Sequence, residues 1–187
     1  MNDLLVEKIF GSSGHTIIVE EFLDGWEVSV FTFTDGTTYS NIVGACDHKR
    51  IGDGNTGPNT GGMGAYSPPQ QWTTELIKKI TSNVIEPIVE GMRDEGNPYK
   101  GVLFIGLMIT KTGPKVLEFN CRLGDPETQV ILPLLETDLV DIIQSCIEGN
   151  LETQNVLWQD KAAACVVMAS GGYPGQYETG FIIKGLK

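Results

Sequence analysis

Apolar positions recur with two periods along this chain, every second residue in several short runs and near every 3.6 residues in two longer ones, which predicts strands mixed with helices. Val28 to Phe33 and Thr38 to Val43 flank Thr34-Asp35-Gly36-Thr37, where the Asp-Gly pair predicts a hairpin turn. Val102 to Thr110 and Lys115 to Cys121 form a second strand pair around Lys111-Thr112-Gly113-Pro114. Ile77, Ile80, Val84, Ile88 and Met92 predict a helix capped by Thr74, running to about Asp94 and kinked at Pro87. Leu139, Ile142, Ile143, Cys146 and Ile147 predict another, stopped by Gly149. Shorter signals mark a helix from Leu4 to Phe10, a strand from Thr16 to Phe22, and a buried strand from Ala162 to Ala169 broken at Gly171 to Gly175. From Ala45 to Pro69 the pattern lapses into a Gly, Asn and Pro-rich loop, a length that usually carries function. The expected fold class is α+β, a mainly antiparallel sheet flanked by helices. The chain stops soon after Ile182 and Ile183 with nothing like a closing element, as a truncated domain would.

Charge narrows the partners. A formal net charge of −11 argues against general nucleic-acid binding, which needs Lys and Arg to neutralise phosphates. A small phosphate-bearing ligand remains open if a metal ion and a few local cations receive it. Cys46, Cys121, Cys146 and Cys165 are widely spaced and only His15 and His48 could join them, so reduced thiols are expected rather than structural zinc. No run approaches a membrane span and the acidic start is no signal peptide, so the chain reads as soluble, cytoplasmic and without a membrane partner.

Candidate chemistry concentrates in Leu117-Glu118-Phe119-Asn120-Cys121-Arg122-Leu123-Gly124-Asp125-Pro126-Glu127-Thr128-Gln129. Alternation predicts Leu117, Phe119 and Cys121 on a buried face and Glu118, Asn120 and Arg122 together on the other. Glu118 and Asn120 offer two hard oxygen donors, suited to Mg²⁺ shared with nucleotide phosphates, and Arg122 adds a forked cation for carboxylate or phosphate. Asp125 and Pro126 look like the N-cap and first position of a helix, whose start would aim free N–H groups at an anion. The competing explanation is the solvated face of an edge strand followed by ordinary capping.

The run from Gly52 to Pro68 is the second concentration. Gly52, Gly54 and Gly57 fit dinucleotide spacing, yet Pro58 stands where that fingerprint needs a helix; Asp53 and Asn55 open like a calcium loop, but its last position would be Gly64 rather than Glu. What survives is a loop whose glycines permit close backbone approach, with Asn59 and Thr60 for hydrogen bonding and Lys49 and Arg50 for positive charge; a flexible linker is the alternative. His48 could act as a base or simply be solvated. A third candidate is Glu20-Glu21-Phe22-Leu23-Asp24-Gly25-Trp26-Glu27, a strand entering a turn that could present backbone and apolar contacts to an adenine, with Glu27 near ribose hydroxyls.

Taken together, the runs from Glu20 to Glu27, Asp47 to Pro68 and Gly113 to Gln129 resemble phosphoribosylamine glycine ligases (glycinamide ribonucleotide synthetases), ATP-grasp enzymes of purine biosynthesis, with similarity from about Val6 to Gly175. The resemblance implies ATP-dependent ligation of glycine to 5-phosphoribosylamine through a glycyl phosphate, giving glycinamide ribonucleotide, ADP and phosphate. It implies that Glu20, Glu21, Phe22 and Leu23 form the adenine hinge, that Glu27 meets the ribose, that Glu118 and Asn120 hold Mg²⁺ or Mn²⁺, and that Arg122 faces the reacting phosphate. Asp47, Lys49, Asn59, Thr60, Gly61, Gly62 and Met63 would serve the substrates, as would Asp125, Glu127 and Gln129. Residues 1–19 would be the tail of the ATP lid, 20–150 the central subdomain, and 151–187 a linker and the start of a C-terminal domain. The chain departs from the family in lacking the N-terminal domain and the lysine-bearing part of the lid, in Trp26 where an acidic residue is usual, and in Leu123 for Phe. Half the nucleotide cleft would then come from the remainder of a longer polypeptide. The alternatives are a non-catalytic nucleotide- or metal-binding fragment and another ATP-grasp ligase or carboxylase.

Overall fold

The computed structural model describes residues 5–9 and 11–185. Six strands form one antiparallel sheet in the order β7-β6-β1-β2-β5-β8. They are β1 (Gly25–Thr34), β2 (Val43–Asp47), β5 (Gly64–Ser67), β6 (Gly101–Thr110), β7 (Gly113–Asn120) and β8 (Ala163–Val166). A separate ribbon pairs β3 (Arg50–Gly52) with β4 (Thr56–Asn59). Helices α1 (Thr74–Ile80) and α2 (Glu86–Asp94) back one face, while α3 (Thr128–Ile131) and α4 (Leu139–Glu148) cover part of the other. No helix among the described residues is long and apolar enough to cross a membrane.

The spine is the ten-residue pairing of β1 with β6, from Gly25 opposite Thr110 to Thr34 opposite Gly101. On the helix-backed face Val28, Val30, Leu103, Ile105 and Leu107 pack against Ile80, Val84, Ile85 and Val89. The other face carries two smaller clusters, Phe31 and Phe104 against Val130 and Ile131, and Phe33 against Ile142, Cys146, Leu151 and Val156. Residues 151–166 are thus tied to this sheet through Leu151, Val156 and the pairing of β8 with β5.

Several expectations need correction. The run from Ala45 to Pro69 contains β3, β4 and β5; each of these short strands includes a Gly, and they acquire their form from pairing rather than from their own alternation. Residues 16–24 form no strand: they find no pairing partner, and Ile18 and Phe22 are 84% and 91% exposed. Leu4 and Phe10, the ends of the first expected helix, lie outside the described residues, and 5–9 belong to no named helix.

The second strand of the first hairpin begins at Val43 rather than Thr38, because Ser40 turns inward, its N–H bonding Phe33 O and its Oγ receiving Phe33 N–H. Asp35 holds the turn as expected from Asp-Gly, accepting from the N–H groups of Thr37 and Thr38 at 2.8 and 2.7 Å and from Leu151 N–H at 3.1 Å. The long helix is capped by Thr73, whose side chain accepts from Leu76 N–H, one residue earlier than expected. Pro87 does not end it. A π-helical turn, Thr81–Ile85, precedes the proline, and Glu86 N–H bonds Thr81 O there, so the switch in bonding absorbs the missing proline donor. Gly149 closes α4 in the left-handed region (φ 79°), the stop expected from the sequence, and Asp138, which was not singled out, caps its start.

Candidate functional site

The motif strand β7 lies at the sheet edge and carries a bulge. Gly106 faces Glu118 and Leu107 faces Val116, which leaves Leu117 as the extra, unpaired residue. The expected buried face of Leu117, Phe119 and Cys121 is therefore not closed: Leu117 is 40% and Phe119 44% exposed, and Cys121 is exposed. Phe119 and Cys121 instead rim an apolar groove of about 170 Å³ beside Ile88, Met92 and Tyr99. The chemical face is formed as expected. Asn120 Nδ2 donates to Glu118 Oε1 at 3.0 Å, and the Arg122 guanidinium stands 5.8 Å from the centroid of Phe104, the residue paired with Asn120.

The bond between Asn120 and Glu118 bears on metal binding. The amide nitrogen is used on Glu118 Oε1, so Asn120 Oδ1 and Glu118 Oε2 remain as adjacent oxygen donors. No group of three or more His, Cys, Asp or Glu among the described residues could cage an ion. A two-oxygen site fits Mg²⁺ or Mn²⁺ that takes its remaining ligands from water and phosphate, and does not fit zinc or calcium.

Two strands away on the same face, Lys49 bridges Glu27, in close contact, and Asp47 at 3.5 Å. Burial pushes the Asp47 carboxyl above its ordinary value despite Lys49. Burial works against the Lys49 charge, but the Glu27 and Asp47 carboxylates outweigh it and raise the ammonium's value. The hinge candidates Glu21, Phe22 and Leu23, with Asp24, line a surface cavity of about 290 Å³ whose far wall is Thr110, Lys111, Thr112 and Lys115. Glu20 is exposed just outside it. The hinge thus sits at the end of the β6–β7 pair, away from the Asp125 turn.

Asp125 and Pro126 do not begin a helix. They lie in a turn, the first helical residue is Thr128, and no side chain caps α3. Asp125 Oδ1 instead accepts from Gln129 Nε2 at 2.7 Å at the surface. Glu127 points inward. It is 4% exposed, and Ser29 Oγ donates to its Oε1 at 2.7 Å. Room for this carboxylate exists because residue 124 is glycine: a Cβ there would lie 2.5 Å from Glu127 Oε2 and 3.1 Å from Phe31 Cζ.

The Gly-rich loop meets this turn. A Cβ on Gly62 (φ +118°) would stand 2.4 Å from Pro126 Cδ, so only glycine allows Asn59 to Met63 to close on Asp125 and Pro126. Ser29 and Tyr173 were not singled out by sequence reasoning, although both touch the candidate residues: Ser29 holds Glu127, and the Tyr173 hydroxyl accepts from Gly61 N–H at 2.9 Å. A small hydroxyl inside the apolar run Val28-Ser29-Val30 was the available signal for the first; the second had none.

Comparison with known proteins identifies the family of the chain. The family model for the phosphoribosylglycinamide synthetase ATP-grasp (A) domain matches residues 1–128. The trifunctional purine biosynthetic protein adenosine-3 of Gallus gallus is 55% identical over 187 residues, all of this chain and 19% of that protein. A phosphoribosylamine–glycine ligase of Escherichia coli is 50% identical over all of this chain and 44% of its own length. The crystal structure of phosphoribosylamine–glycine ligase from Thermotoga maritima superposes with a TM-score of 0.76 at 38% identity, covering 85% of this chain and 40% of that one. The chain spans less than half the length of each of these relatives. With an antiparallel sheet of matching form and a family match over most of its length, the chain belongs to the phosphoribosylglycinamide synthetase ATP-grasp family.

Proposed function

We propose that this chain forms the metal- and phosphate-facing part of an ATP-dependent ligase that joins glycine to 5-phosphoribosylamine, giving glycinamide ribonucleotide, ADP and phosphate in cytoplasmic purine biosynthesis. One observation carries the reading: Glu118, Asn120 and Arg122 lie exposed or half-buried on one sheet face with Glu27, Lys49 and the buried carboxylate of Asp47, and the Gly62 loop closes on the Pro126 turn. In this reading residues 1–19 end the ATP lid, 20–150 form the central subdomain, and 151–187 lead toward a C-terminal domain. The share of each relative that the chain spans supports a place within a longer polypeptide.

Glu21, Phe22 and Leu23 would receive the adenine at the cavity they line, with Glu20 beside them and Glu27 toward the ribose. Glu118 and Asn120 would hold Mg²⁺ or Mn²⁺, whose chemistry there would be to neutralise phosphate charge. Arg122 presents its fork to the reacting phosphate while the Phe104 ring holds its plane. Lys49, between two carboxylates, stays protonated and adds a cation near the ribose. The loop from Asn59 to Met63 orients the acceptor and excludes water, which keeps an acyl phosphate from hydrolysis. Asp125 and Gln129 have their side chains at the surface of the turn for glycine or the ribosylamine; the buried Glu127 shapes that turn.

The test is a graft of this chain into the Escherichia coli relative in place of the matching segment. Glycine-dependent ADP release is expected from the graft, and Glu118→Ala within it lowers that release by about 100-fold or more, the scale of losing one electrostatic element of a transition state. ADP release driven by another carboxylate but not by glycine would move the chain to another ATP-grasp activity. Equal rates with and without Glu118 would remove that residue from the site.

A further inference from the structure

The apex of the Gly-rich loop has its N–H groups engaged in an uneven way. Thr60 N–H donates to Lys49 O at 2.7 Å, Gly62 N–H to Thr60 Oγ1 at 3.0 Å, and Met63 N–H to His48 O at 2.8 Å, all within the local ribbon. Gly61 N–H alone reaches across the molecule, to the Tyr173 hydroxyl at 2.9 Å. The next anchors beyond the apex also come from this distant segment: Val167 N–H donates to Met63 O at 2.9 Å, and β8 pairs from Gly64 opposite Val166 onward. The Tyr173 ring is itself braced edge-on by Tyr177 at 5.5 Å between centroids.

Resting on the ligase reading for its functional meaning, we propose that Tyr173 is a positioning residue, a latch by which the segment after β8 holds the Gly-rich loop in its closed register on the Pro126 turn. The chemistry suits a latch. A phenol oxygen is a neutral acceptor on a stiff ring, and it meets an N–H that would otherwise be free at the loop apex. Gly61 places that N–H beside Gly62, the residue whose missing side chain lets the loop touch Pro126. Fixing Gly61 therefore fixes the approach of Asn59 and Thr60 to the site without Tyr173 touching the reacting atoms.

Tyr173→Phe removes one oxygen and keeps the ring. In the 187-residue chain, amide hydrogen exchange at Gly61 is expected to quicken by about three- to tenfold, the range of one net hydrogen bond. Tyr177→Phe, as a control, leaves Gly61 exchange as it is. Titration with ribose 5-phosphate, a stable sugar phosphate lacking the reactive amine, is expected to shift the Gly61 and Gly62 amides, with affinity about three- to tenfold weaker in Tyr173→Phe. Unchanged Gly61 exchange in Tyr173→Phe overturns the latch, as does tighter sugar-phosphate binding, which would make the phenol a competitor. Absence of any shift in the unsubstituted chain counts against the loop as the sugar-phosphate site, while the exchange rates still decide the latch.

Discussion

The two faces of β1 follow one alternation and differ in what lies over them. Val28 and Val30 meet a continuous apolar layer from α1 and α2. On the opposite face the cover thins along the strand: Phe33 lies under α4, Phe31 under α3, Ser29 under the carboxylate of Glu127, and Glu27, with its side chain 38% exposed, meets Lys49. Charged groups appear where the cover stops. The comparison teaches that one strand can carry both a core and a site, provided its cover ends partway, and that the residues at the boundary are polar but buried.

Substitutions should separate the two faces by the size of their effect on stability. Ile105→Ala, at a fully buried position of the helix-backed face, is expected to cost about 2–5 kcal/mol in urea unfolding. At the boundary, Ser29→Ala leaves the Glu127 carboxylate short of its donor and is expected to cost about 1–3 kcal/mol in the same measurement. A loss below that of an exposed substitution would mean that Glu127 finds another partner and that the boundary is softer than drawn.

Asp35 gives a pH-dependent check on the far end of β1. Burial alone would raise its carboxyl, yet bonds from Thr38, Thr37 and Leu151 outweigh it and hold the group below its ordinary 3.8. A group depressed on folding contributes stability that is present above the unfolded value and lost as pH falls through the folded one. Unfolding midpoints followed from pH 6 down through roughly pH 3 should therefore drop more steeply in the unsubstituted chain than in Asp35→Asn. Parallel curves would show that the turn does not depend on the charge. The smallest effect is expected at the open end, where Glu118→Ala should change stability by no more than about 0.5 kcal/mol while removing metal-dependent activity from the graft.

How much of this was legible follows the same division. β6, α4 and the core half of β1 were readable because a single period decides which residues are buried. That Glu118 and Asn120 share one face was readable because it is local to one strand; the bond between them was not read from the sequence. The strands within Ala45 to Pro69 were not, since Gly64-Ala65-Tyr66-Ser67 has no apolar alternation and becomes a strand only between β2 and β8. Thr16 to Phe22 failed in the opposite direction, having strand-forming residues without a partner. The inward turn of Glu127 escaped for a similar reason: its partner Ser29 lies 98 residues away, and the adjacent Asp-Pro imitates a helix start.

The bond between Gly61 and Tyr173 also sets an order of events. The two residues lie 112 positions apart. A ribosome adding roughly 5–20 residues per second leaves about 5–20 s between the emergence of one and the other. β1 and β2 precede Gly61 in the chain and β6 ends at Thr110, well before Tyr173, so all three can pair before Tyr173 emerges, whereas the glycine loop waits with its apex untied. The loop proposed to close over substrates is then shaped after these strands, and a nascent chain holds this framework before it holds the proposed site.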